Sequence, residues 1–238
     1  MSHIIALVQR KGGVGKTTLA VSVAAELHRR GKSVALIDSD PQLSASQWAA
    51  LGNLQFPIYE LIPSEQMTVD WARDVRGVAA KHDYIIVDTA PSMRAVSTAI
   101  AIANVAMVPC TPSGLDLEST VKTLEIINQI RKLRDGYPKV ILIPNRVDAR
   151  TCEGNQLVDE LVSFGEVVSS TIGYRIGFVR AFSNGHSIRE MAKGQEGHRE
   201  IQDLCDRLEL NLNTEESCDD NLSLLPPVCA SQLVPMAH

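Results

Sequence analysis

No apolar run in this 238-residue chain reaches the roughly 18 residues that a membrane-spanning helix needs. The five cysteines, Cys110, Cys152, Cys205, Cys218 and Cys229, are odd in number and show no C-x-x-C spacing. A zinc ribbon and a paired disulfide framework are therefore not expected, and free thiols in a reducing compartment are. The first residues pass straight into an apolar run and a glycine-rich turn, with no room for a signal peptide. A cytoplasmic protein is the expectation. No internal repeat is visible. Positive charge is not in excess either, since the formal net charge is −5. Four of the 28 acidic residues, Glu215, Glu216, Asp219 and Asp220, lie in residues 211–238, which hold no Lys or Arg. The remainder carries 23 basic against 24 acidic residues, a near-neutral body on which a basic patch could still form.

What is present suits one α/β domain. With 45% hydrophobic residues there is enough apolar material to bury a sheet on both faces. Ile4–Val8, Ser33–Ile37, Ile58–Ile62, Tyr84–Val87, Val105–Pro109, Val140–Ile143 and Glu166–Ile172 read as strands. Helical patterns lie between them at Leu19–Leu27, Ser44–Leu51, Met67–Ala80, Ser92–Ala103, Leu117–Arg134 and Gln156–Phe164. Further helical segments are expected near Gly177–Asn184, Ile188–Lys193 and Glu196–Leu208. Strands alternating with helices imply a doubly wound, mostly parallel sheet with helices on both faces. The domain is expected to fill residues 1–212. Residues 213–238 read as a largely disordered tail with two adjacent prolines, in which a short apolar docking motif could lie.

The stretch Arg10-Lys11-Gly12-Gly13-Val14-Gly15-Lys16-Thr17-Thr18 sits between the first strand and the first helix, as a phosphate-binding loop requires. Glycines let successive backbone N–H groups curl around phosphate oxygens. The helix that opens there adds unpaired N–H groups and the positive end of its dipole. Lys16 is then expected on the β/γ-phosphates and the Thr17 hydroxyl on Mg²⁺. The pattern lacks the first glycine of G-x-x-x-x-G-K-[ST], because Arg10 stands there, and it adds a second lysine, Lys11. The resulting K-G-G-x-G-K-T-T resembles the deviant Walker A box of the ParA/MinD family of P-loop ATPases, most closely the small ParA-type partition proteins. That resemblance implies ATP and Mg²⁺ as ligands. It also implies an ATP-bound homodimer in which Lys11 reaches the partner's nucleotide.

Three carboxylates fall at strand ends, where ligands bind in an open α/β sheet. Asp88, closing Tyr84–Val87, has the form of a Walker B residue holding Mg²⁺ through water, although an Asp there could instead cap a helix. Asp38-Ser39-Asp40-Pro41-Gln42 is similar to the D-x-D-P-Q box of ParA relatives. By that likeness Asp40 positions the attacking water and Asp38 supports the metal shell; a plain turn fixed by Pro41 is compatible with both roles. The resemblance also sets Asn145 against the adenine edge and matches Thr111–Asp116 to the segment before the family's long interface helix.

Late in the folded region lie Arg175, Arg180, Arg189, Lys193 and Arg199, interleaved with glycines. On spacing alone these could be scattered, solvated charges. Thr171–Met191 resembles the region from which small ParA proteins bind DNA phosphates, and it implies contacts from Arg175, Arg180, Arg189 and Lys193 to nonspecific DNA in a salt-dependent way. A ParB-like or adaptor protein that stimulates hydrolysis, moving a plasmid, chromosome or protein compartment over the nucleoid, is implied in the same way. MinD-like proteins end in a basic amphipathic helix. The acidic tail here lacks such a cationic face, so no membrane contact is expected. A MinD-like regulator docking lipid or a partner remains the alternative, and a metabolic enzyme of the dethiobiotin-synthetase kind is disfavoured by Lys11 and the missing glycine.

Overall fold

The apolar runs become β1 (His3–Leu7), β2 (Val34–Ser39), β3 (Ile58–Glu60), β4 (Tyr84–Thr89), β5 (Val105–Cys110), β6 (Lys139–Pro144) and β7 (Val167–Val168) in the computed structural model, which describes residues 2–63, 68–191 and 194–213. They pair in parallel as one seven-stranded sheet in the order β3-β2-β4-β1-β5-β6-β7. The helices are α1 (Lys16–Arg29), α2 (Ser44–Ala49), α3 (Thr68–Ala79), α4 (Met93–Ile100), α5 (Gly114–Arg131), α6 (Cys152–Val162), α7 (Ile176–Asn184) and α8 (Gln195–Asn213), with a 3₁₀ turn at Ile188–Glu190.

The central strands read as unbroken apolar runs because both faces are covered. Ile4, Ala6, Ile85 and Val87 pack with side chains of α3 to α6, such as Trp71, Val96, Ile127 and Leu157. Their alternates Ile5, Leu7, Ile86 and Met107 pack with α1, α2, α7 and α8, through Leu19, Trp48, Ala181 and Leu204. From β1 the chain moves outward to β2, returns to β4, then crosses to β5 on the other side of β1. The order of strands therefore reverses about β1, and a crevice opens beyond the carboxyl ends of β1 and β4. Register places Asp88 beside Leu7 on one side and Asp38 on the other.

The helix that opens this crevice is pinned at its far end. Glu26 of α1 is buried and accepts from Arg29 (2.6 and 2.7 Å), Arg30 (2.9 Å) and His198 Nε2 of α8 (3.0 Å). Arg30 in turn donates to Glu209 of α8 (2.6 Å) and to the Gln202 carbonyl (3.0 Å). Burial alone would push the Glu26 carboxyl up, but the hydrogen bonds from Arg29, Arg30 and His198 outweigh it and hold the pKa at about 2.

Element bounds differ from expectation mainly at the open edge of the sheet. β7 is two residues rather than seven, because it pairs only with β6 and the serines that follow turn to local contacts. The Ser169 hydroxyl donates to the Ser170 carbonyl, and beyond Val168 the chain keeps single backbone bonds to β6, from the Ser169 N–H to the Leu142 carbonyl (2.9 Å) and from the Ile172 N–H to the Pro144 carbonyl (2.8 Å), before the bridge between Val147 and Gly173. The helix expected at Ile188–Lys193 is a 3₁₀ turn held by a capping box, in which Ser187 and Glu190 bond each other's backbone. α8 runs beyond Leu208 to Asn213 because Leu212 is buried and Lys139 Nζ donates to the Asn211 carbonyl. The predicted start of α3 at Met67 and the predicted tail beyond Asn213 lie outside the described residues.

Because its folded pKa is depressed from 4.5, Glu26 contributes stability that is present above about pH 4.5 and is lost as pH falls toward about 2. Glu26→Gln is expected to lower stability at pH 7 by about 1–3 kcal/mol in urea denaturation and to flatten the acid limb in that window. A wild-type acid limb in the variant would contradict the anchoring role.

Candidate nucleotide-binding site

The loop after β1 is shaped by backbone conformations that side chains resist. Gly13 and Gly15 have φ of +79° and +97°, in the left-handed region. At Gly15 a Cβ would also come within 2.4 Å of Asn145 Nδ2. Asn145 is buried, and its amide donates to the Val14 carbonyl at 2.7 Å. It thus clamps the loop to the end of β6, so the residue expected at the adenine edge has a bracing contact of its own. Gly12 and Gly13 are exposed, and Val14 is buried beneath them. The first turn of α1 has no capping side chain, which leaves its N–H groups for an anion.

Lys16 lies inside this cradle, only 7% exposed, with Nζ 3.3 Å from the Lys11 carbonyl. Burial lowers its pKa, and the nearby Asp88 and Asp40 partly restore it. Asp88 is fully buried, and neither carboxylate oxygen has a hydrogen-bond partner of normal geometry. Burial pushes its pKa up to about 7; the Thr17 hydroxyl lowers it, the Asp38 charge raises it and Lys16 lowers it. An unpartnered buried carboxylate is costly, and an arriving cation would satisfy it. Thr17, in the first turn of α1, completes a hard-oxygen pair suited to Mg²⁺. Among the described residues no group of three or more His, Cys, Asp or Glu could hold a metal alone. The donor set therefore fits an ion whose remaining ligands are phosphate oxygens and water.

Asp38 and Asp40 meet the same crevice in different ways. Asp38 is fully buried, accepting from the Asp40 N–H (3.2 Å) and the Ser46 N–H (2.9 Å). Both its oxygens hold the loop between β2 and α2, so the expected metal-shell residue acts here as a brace. Asp40 uses one oxygen to accept from the Gln42 N–H (2.9 Å), an Asx turn that leaves the other oxygen outside that bond.

Lys11 stands at the rim, ion-paired with Asp116 in the first turn of α5, and Asp116 also accepts from the Thr111 hydroxyl. Thr111–Asp116 was expected as a segment; the role of Asp116 itself was not. Gln9 was missed entirely. It is fully buried beneath the loop, donating to the Pro109 carbonyl (3.2 Å) and Thr120 (3.0 Å). Its carbonyl accepts from the Arg10 N–H (2.8 Å), Ser119 (2.7 Å) and Thr123 (3.0 Å). Loop and α5 are thereby joined through one side chain. The available signal was a lone amide closing an apolar strand just before the glycines.

The late cations do not all lie free. Arg175 is half-buried and paired with Glu196 (2.5 Å) and Glu200 (2.7 Å), bracing α7 against α8. Arg180 and Arg189 are exposed, and neither has a side-chain partner among the described residues. Lys193 and its expected contact lie outside the described residues. A separate cleft at the far end of α1, lined by Glu26, Arg29, Phe56 and His198, does not touch the loop.

A parallel sheet with its glycine loop at the switch point defines a P-loop nucleotide-binding domain. A family profile described as the CobQ/CobB/MinD/ParA nucleotide binding domain matches residues 5–188, and the chain belongs to that family. The maintenance of carboxysome distribution protein A of Halothiobacillus neapolitanus is 27% identical over 204 residues, covering 84% of this chain and 93% of that one. The chromosome-partitioning ATPase Soj of Thermus thermophilus is 27% identical over 234 residues, covering 86% and 94%. In fold, the chain is similar to a Cyanothece McdA variant solved as an ATP complex, with a TM-score of 0.72 and 17% identity over 87% of this chain and 96% of that one.

The raised folded pKa of Asp88 gives stability that is present below its unfolded value of 3.8 and is lost as pH rises through about 7. Asp88→Asn is therefore expected to raise Tm at pH 8, by several degrees, in the protein without nucleotide, and to abolish the extra thermal shift that Mg²⁺ adds to ATP. A lower Tm with the Mg²⁺ effect intact would contradict the assignment. Gly15→Ala is expected to abolish nucleotide binding in calorimetric titration, because it strains the loop and displaces Asn145 together.

Proposed function

We propose that this chain is a ParA-type ATPase that dimerises around MgATP, binds DNA without reading sequence, and positions a cargo through partner-stimulated hydrolysis. The observation that carries the reading is Lys11, a second lysine held at the rim of the phosphate loop by Asp116 of its own chain. A cation parked on a carboxylate can be transferred to a more highly charged acceptor. The triphosphate held by a second copy, presented across the crevice, is such an acceptor.

Bound MgATP supplies the transferable γ-phosphoryl group and the divalent charge that spreads over it. The chain does the rest by position. Backbone N–H groups from Gly12 to Thr18 would donate to phosphate oxygens, and Lys16 would set its charge against the β- and γ-phosphates. Thr17 and Asp88 would hold the cation, whose positive charge would favour the ionised form of Asp88 that burial disfavours. Asp40 would accept a hydrogen bond from the attacking water with the oxygen left over from its Asx turn. Asp38 keeps that turn in place through its two backbone bonds. Asn145 holds the loop from beneath.

Among the described late cations, Arg180, Arg189 and Arg199 are exposed without side-chain partners and available for phosphate, and Arg175 serves the fold first through its two glutamates. Relatives named for carboxysome distribution and chromosome partitioning support a positioning role, and the cargo is whatever the stimulating partner carries. In nucleoid-bound form the protein would be retained on DNA only in one nucleotide state.

Retention of the purified protein on nonspecific duplex DNA is expected with MgATP and not with MgADP, falling steeply as salt rises from 50 to about 200 mM. Arg180→Ala with Arg189→Ala should lower both retention and the salt slope. Asp40→Ala should abolish hydrolysis and prolong retention. Equal retention in every nucleotide state would contradict the DNA-tethered switch, and a wild-type ATPase rate in Asp40→Ala would remove that residue from the mechanism.

A further inference from the structure

Helix α2 joins the nucleotide crevice to the segment that carries Arg180 and Arg189. It is six residues long and follows directly on the turn at Asp38–Gln42. That turn holds its start. The Ser46 N–H donates to Asp38 (2.9 Å), the Leu43 N–H to the Asp40 carbonyl (2.8 Å) and the Gln47 amide to the Gln42 carbonyl (3.0 Å). Leu43, at the junction, has φ of +51°, a left-handed conformation that a leucine rarely adopts. Such strain persists only where its surroundings enforce it, here through the bonds made by Asp38 and Asp40.

The other end of α2 is fixed to the exit of α7. Trp48 is fully buried, meets the Phe182 ring edge-on at 5.3 Å and donates from Nε1 to the His186 carbonyl (3.1 Å). Asn53, past the helix, donates to the Asn184 carbonyl (3.0 Å), and a Cβ on Gly185 would collide with that of Leu51. His186 lies between two exposed arginines, Arg180 on α7 and Arg189 on the 3₁₀ turn. It also ties their elements together. Its N–H donates to the Ala181 carbonyl (3.0 Å), and its ring Nδ1 meets the Glu190 carboxylate (3.1 Å). The start of α7 is held instead by α8, through Arg175 with Glu196 and Glu200. α7 is thus anchored at one end by α8 and gripped at the other by α2.

We propose that Trp48 is a positioning residue that carries the nucleotide state of the Asp38–Gln42 turn to Arg180 and Arg189. A six-residue helix has little length over which to absorb a shift of the turn at its start. It moves as a unit, and Trp48 takes the His186 carbonyl with it. An indole suits the task, being a rigid ring with a hydrogen-bond donor on its edge. The lever itself needs no nucleic acid. Its consequence rests on the DNA reading above: one setting of the α7 exit presents both arginines to phosphates together, and the other parts them.

Amide hydrogen exchange across residues 181–191, read with MgATP and with MgADP and without DNA, tests the lever. The wild-type chain is expected to exchange there at rates that differ several-fold between the two states. In Trp48→Phe, which keeps an aromatic ring and loses the donor, that difference is expected to vanish while α1 is still protected by either nucleotide. Phe182→Leu breaks the same contact from an exposed position and should shrink the difference too. Equal exchange of the wild-type chain in both states, or an undiminished difference in a folded variant, would overturn the proposal. DNA retention is read separately, and Trp48→Phe should lower the ratio of retention in MgATP to that in MgADP several-fold. A wild-type ratio in that variant would overturn the link to the arginines. Nucleotide-dependent exchange in a wild-type chain whose DNA retention ignores the nucleotide would sink the DNA reading and support the lever.

Discussion

The structure turns on two opposite charges drawn into one poorly solvated crevice at the carboxyl end of the sheet. Asp88 is buried with both oxygens unsatisfied, and Lys16 is buried on the loop beside it. Each makes the other tolerable, yet neither is fully compensated, which is why burial moves Asp88 toward neutrality and Lys16 in the same direction. An anion and a divalent cation arriving together relieve both. The glycines at 13 and 15, the clamp from Asn145 and the uncapped start of α1 all serve to keep that crevice open to an anion.

Positioning is distributed well beyond the loop. The far end of α1 is fixed to α8 by the Glu26 cluster, so the helix cannot withdraw from its phosphate end without breaking buried charge-assisted bonds. Gln9 joins the loop to β5 and to α5. Asp116 joins α5 to Lys11. A change in what Lys11 touches would therefore be felt along α5, and a displaced α5 would be felt at the root of the loop. This gives the proposed switch a physical path made of named hydrogen bonds.

The fold was legible because the central strands are fully buried. Tyr84–Val87 and Val105–Pro109 are apolar without interruption, and only a strand covered on both faces reads that way. The loop was legible because its glycines and lysines have few other uses in that order, and Asp88 followed from its place at a strand end. What stayed hidden depends on partners distant in sequence. Gln9 finds its bonding partners about 110 residues away, and Asp38 is claimed by backbone N–H groups that exist only once α2 has formed. Arg175 looked free until the fold brought Glu196 and Glu200 beside it. The short β7 likewise reflects an edge with one neighbour, which local composition does not report.

Sedimentation velocity of the wild-type chain and of Lys11→Ala, each with MgATP and with MgADP, reads out whether Lys11 joins two copies around the nucleotide. A dimer is expected for the wild-type protein with MgATP alone, and a monomer for Lys11→Ala in both states. A wild-type chain that sediments identically with ATP and ADP, or a Lys11→Ala variant that dimerises as readily as wild type, would contradict that role of Lys11.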